Sequence, residues 1–132
     1  MNNKFTYTPF EVNGFYRTSL NFNDTMISNI INDMYEMENH PDNIYTSDSR
    51  TFHLTKGFHS CNLFEKGILE KYENIKILVS RVQELLYNYF CVENNINFIV
   101  SPHILRIQEI WFNILRTGDF NVIHNHSNNN IS

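Results

Sequence analysis

The chain has 132 residues, 42% hydrophobic and 14% aromatic, which excludes the low-hydrophobicity, high-charge class of disordered chains and allows one buried core. Its formal net charge is −4, and its ten Lys and Arg are scattered instead of clustered, so no nucleic-acid footprint is expected. Cys61 and Cys91 form no C-x-x-C pair, which argues against a disulfide scaffold or a thiolate metal site and fits a reducing cytoplasm. The start Met1-Asn2-Asn3-Lys4-Phe5 lacks the apolar run of a signal peptide, and no later run approaches the ~18 apolar residues of a membrane span. A protein of the cytoplasm without a membrane partner is expected.

Residues 5–23 mix aromatics and Thr with turn signals at Pro9 and Asn13-Gly14, and Phe15-Tyr16-Arg17-Thr18-Ser19-Leu20 favours β structure, so one strand or two is expected there. Asp24 can cap a first helix over residues 24–39, whose apolar positions Ile27, Ile30, Ile31 and Met34 follow the i, i+3, i+4, i+7 rule up to His40-Pro41. Residues 41–49 are turn-rich, and Arg50-Thr51-Phe52-His53-Leu54 predicts a short strand before Lys56-Gly57. A long helix follows, in which Tyr72, Ile75, Leu78, Val79, Val82, Leu85, Leu86 and Tyr89 form one apolar stripe that a sheet or another helix must cover.

Beyond the breakers Glu93-Asn94-Asn95, residues 104–115 alternate. Ile107, Glu109, Trp111, Asn113 and Leu115 fall on one face, and Ile104, Arg106, Gln108, Ile110, Phe112 and Ile114 on the other, the pattern of a strand. Thr117-Gly118-Asp119 then predicts a hairpin turn into a strand over residues 120–126. Helices first and strands last give an α+β class with helices flanking a sheet.

On such a strand His124 and His126 project from one side about 6.5–7 Å apart, close enough for both imidazoles to reach one divalent ion. Spacing alone does not select that role, because six His occur here and a pair beside the Asn-rich tail is more often solvated than ligating. Asn113 can bond neighbouring backbone or cap a turn, and Trp111 is more simply core packing than a ligand platform. His40, His53, His59 and His103 share no element with the pair and are assigned no ligand role. No phosphate loop or nucleophile elbow is present.

The segment from Trp111-Phe112-Asn113 through Thr117-Gly118-Asp119-Phe120-Asn121 to His124-Asn125-His126 resembles the W-x-N, G-D-x-N, H-x-H, S-G-V-Y-Y signature of an iron(II)/2-oxoglutarate-dependent oxygenase family of marine microbes and their phages. Lys56-Gly57-Phe58-His59-Ser60 is similar to a G-[WF]-x-S stretch of the same proteins, so the likeness is loose over most of the chain and specific over its last part. In the wider superfamily, which includes prolyl hydroxylases and nucleic-acid dealkylases, a Gly lies six residues before the first ligand of an H-x-D motif, as Gly118 does before His124. The resemblance implies Fe(II) held by His124 and His126, and 2-oxoglutarate contacted by Asn113, which lies five residues before Gly118. Two departures stand out: His126 replaces the acidic ligand of a 2-His-1-carboxylate triad, and Leu115 replaces the Tyr of the dealkylase N-x-Y-x-x-G pattern.

The implied fold is a double-stranded β-helix, or jelly roll, of which residues 1–132 would be one incomplete oxygenase domain. Residues 1–100 would supply the N-terminal strands and two main helices, and residues 101–132 the first core strands with the H-x-H motif. Ser132 falls where the family continues into S-G-V-Y-Y, so the chain is expected to be an N-terminal part, inactive alone, with the distal His and the Arg or Lys for 2-oxoglutarate supplied later. The competing expectations are a non-enzymatic jelly-roll binding module and a cupin-type three-His metalloenzyme. Neither the substrate nor the oligomeric state is legible.

Overall fold

In a computed structural model that describes residues 6–10, 13–47, 55–89 and 106–122, the chain is α+β. Strands β1 (Thr6–Phe10) and β2 (Asn13–Arg17) form an antiparallel hairpin in which Phe10 pairs with Asn13, so both of the anticipated strands are present. Asn13-Gly14, read from sequence as a turn, lies inside β2, with Gly14 opposite Pro9.

Helix α1 (Asp24–Glu38) is capped one residue earlier than predicted, because Asn23 has the extended backbone of an N-cap and its side-chain oxygen accepts from the Met26 amide at 2.8 Å. Asp24 becomes the first helical residue, where its carboxylate faces the positive end of the helix dipole. The buried face also differs from the simple periodic reading. Ile30 and Met37 are buried with Met26 and Met34 packed beside them, whereas Ile27 and Ile31 are each 43% exposed. Both stripes satisfy helical spacing, and only the position of α3 selects between them.

The long helix is interrupted at its start. Short helix α2 (Ile68–Lys71) follows Lys66 and Gly67, both at positive φ, and passes into α3 (Glu73–Tyr87) through Tyr72, whose backbone is not helical. Tyr72, Ile75, Val79 and Leu85 are buried, so the predicted stripe is the core face, and α1 helps to cover it. The two helices run antiparallel: Asn74 near the start of α3 donates to Asp33 late in α1 at 3.1 Å, while Phe22, just before α1, borders a surface depression with Ser80 and Arg81.

Against these helices lies a small sheet built around residues 55–63. Strand β3 (Thr55–Lys56) pairs with β6 (Phe120–Asn121), and β4 (Phe58–His59) pairs with β5 (Asn113–Ile114), both antiparallel. On the other edge Thr46 bridges Ser60, the Ser47 amide donates to His59 O, and the Cys61 amide donates to Tyr45 O. The sheet's middle segment is thus 58–61, bonded alternately to either side. Residues 48–54, which include the strand predicted at Arg50 to Leu54, lie outside the described residues, and the first described strand residues here are Thr55 and Lys56.

Among the described residues of the long predicted strand, only Asn113 and Ile114 have regular pairing, because side chains replace backbone acceptors further along. The Phe112 amide donates to Ser60 Oγ at 2.9 Å and the Ile110 amide to Asn62 Oδ1 at 3.2 Å, while Ser60 and Leu63 amides donate back to Phe112 O and Ile110 O. The predicted alternation nevertheless holds: Ile110, Phe112 and Ile114 pack against the core. The predicted hairpin is corrected, since β5 and β6 do not pair with each other but both pair with residues 55–59, and residues 115–119 bow out between them opposite Gly57.

Candidate functional site on the outer face of the sheet

Gly57 sets how the sheet passes from one strand pair to the next. Its φ is +121°, and a Cβ there would stand 2.7 Å from Ile114 O, so the close approach of the two segments requires glycine. Across from it, Asp119 closes the 115–119 turn, its carboxylate accepting from the Arg116 amide at 2.8 Å and its own amide donating to Arg116 O. Gly118 has φ +85°, and Lys56 Nζ donates to its carbonyl. The Arg116 guanidinium grips the Glu38 carboxylate through two bonds of 2.6 and 2.7 Å, tying the turn to the end of α1.

This turn delivers Phe120-Asn121, and His124 follows Asn121 by three residues; His124 and His126 themselves lie outside the described residues. Asn113 pairs with His59 and Asn121 with Thr55, so Asn113 and Asn121 are separated by four residues of the partner segment, about 13 Å. Among the described residues no group of three His, Cys, Asp or Glu is placed to hold a metal ion. Cys91, His53 and His103 also lie outside them, and Cys61 is a buried free thiol whose pKa burial pushes up.

The outer face around Asn113 differs from two of the bland expectations. Asn113 is exposed, and its carboxamide bonds no other described residue, so it is not occupied by neighbouring backbone. Among the described residues Trp111 is outside the core cluster: it lies on the face opposite Ile110 and Phe112, partly buried, with its ring stacked on His59 at 6.0 Å and 17°. His59 was assigned no role from sequence, yet it stands directly across the ladder from Asn113. Its Nδ1 lies 2.8 Å from Ser60 O, and since a carbonyl can only accept, Nδ1 is the donor of this bond. The only sequence signal for this was that His59 alternates with buried Phe58.

A second polar cluster joins the helices. Lys71 Nζ lies 4.9 Å from the Tyr72 ring centre and 5.6 Å from that of Tyr45, and the Tyr72 hydroxyl donates to Glu36 at 3.3 Å. Burial pushes the Tyr72 phenol up to about 12, against the opposing bond from Lys71, so it stays neutral and acts as a fixed donor. His40 packs edge-on against Tyr45 at 5.2 Å. These contacts fasten the 40–45 loop to the start of α3.

No family model, curated protein or solved structure matches the chain. No helix among the described residues is long and apolar enough to cross a membrane.

Proposed function

We propose that the chain carries the first metal-binding motif of an iron(II)/2-oxoglutarate-dependent dioxygenase, a hydroxylase of unspecified substrate. The observation that supports it most is the turn that precedes the motif: Gly118 of the G-D pair adopts the left-handed backbone that favours glycine, and Asp119 holds the turn through Arg116. The motif residues thus have local structural roles consistent with the resemblance. In this reading the α+β unit is the start of a jelly roll, with α1 and α3 flanking its first strands.

His124 and His126 would hold the metal as neutral imidazoles, and Asn113, whose carboxamide is exposed, would donate to a carboxylate of 2-oxoglutarate. Iron(II) with 2-oxoglutarate supplies the oxygen activation and hydroxylation. Because His126 stands where a carboxylate is usual, the metal would keep one more positive charge than in a 2-His-1-carboxylate site, which strengthens its hold on an anionic co-substrate. Anaerobic titration with Fe(II) tests the assignment: wild type should bind the ion, and His124→Ala and His126→Ala should each weaken binding at least about tenfold. Equal binding by all three chains overturns it. A non-enzymatic binding module on the same scaffold is the second reading, favoured by the stacked Trp111 and His59 beside exposed Asn113.

A further inference from the structure

We draw no further inference here: the strongest candidate, the groove of about 710 Å³ beside helices α2 and α3 and residues 106–108, carries nothing, because its lining mixes Lys76 and Arg106 with Glu70 and nothing in the structure shows what covers its apolar residues Phe64, Leu69, Val79 and Ile107.

Discussion

Gly57 shows how one residue can decide the course of a sheet. Its positive φ and the 2.7 Å separation between a would-be Cβ and Ile114 O mean that any side chain must displace the backbone of the neighbouring segment, next to the β4–β5 pair. Gly57→Ala should therefore cost about 1–3 kcal/mol, read as a lower urea midpoint; an unchanged midpoint would contradict the close approach. Ser60 and Asn62 work in the opposite sense, since their oxygens take the place of backbone acceptors for the Phe112 and Ile110 amides and let an irregular ladder keep its hydrogen bonds. Seen alone, Gly57, Ser60 and Asn62 would pass for ordinary loop residues. Their importance comes from segments about fifty residues away in sequence.

At the scale of the element, α1 carries two apolar stripes and buries one. Met26, Ile30 and Met37 face the core, while Ile27, Ile31 and Tyr35 are each more than 40% exposed. Adjacent isoleucines should accordingly respond in different ways to the same substitution. Ile30→Ala should lose about 2–5 kcal/mol through the cavity it leaves, whereas Ile31→Ala should stay within about 0.5 kcal/mol of wild type, since it exchanges little burial for a better helix former. Chemical denaturation of the two variants measures the difference, and equal losses would mean that the helix is rotated from the arrangement described. The α2–α3 junction has a similar origin: Tyr72 leaves helical geometry, and its buried ring and hydroxyl meet Tyr45 and Glu36.

For the whole molecule, stability is linked to pH through the cluster that joins the 40–45 loop, α1 and α3. Folding raises the Tyr72 phenol to about 12 from an ordinary value near 10, so the folded state holds the neutral form more strongly than the unfolded chain does. The resulting stability is present in full below about pH 10 and is lost as pH rises through about 12; Lys71, also raised, chiefly by its bond to Tyr72, acts in the same direction. Urea midpoints across this range should fall more steeply for wild type than for Tyr72→Phe, and parallel curves would show that the phenol is not the linked group. At the same end of α1, two residues beyond Glu36, the two Arg116–Glu38 bonds connect the turn before the H-x-H motif to the helix layer.

By itself the sequence determined the mixed α+β class, both main helices, the presence of β structure before the first helix, and which alternate residues of the 110–114 segment point inward. These depend on local periodicity, and burial follows it at Ile110, Phe112, Ile114, Ile75 and Val79. It also carried the W-x-N, G-D and H-x-H resemblance on which the oxygenase proposal stands, and the left-handed turn at Gly118 is consistent with the glycine found there. Tertiary structure alone decided that β5 and β6 share residues 55–59 as their partner instead of pairing with each other, that Ile30 and not Ile31 is buried, and that His59 meets Trp111 and Asn113. The physical reason is common to all three: each depends on which distant segment supplies the neighbouring surface, and local spacing permits more than one answer until packing selects one.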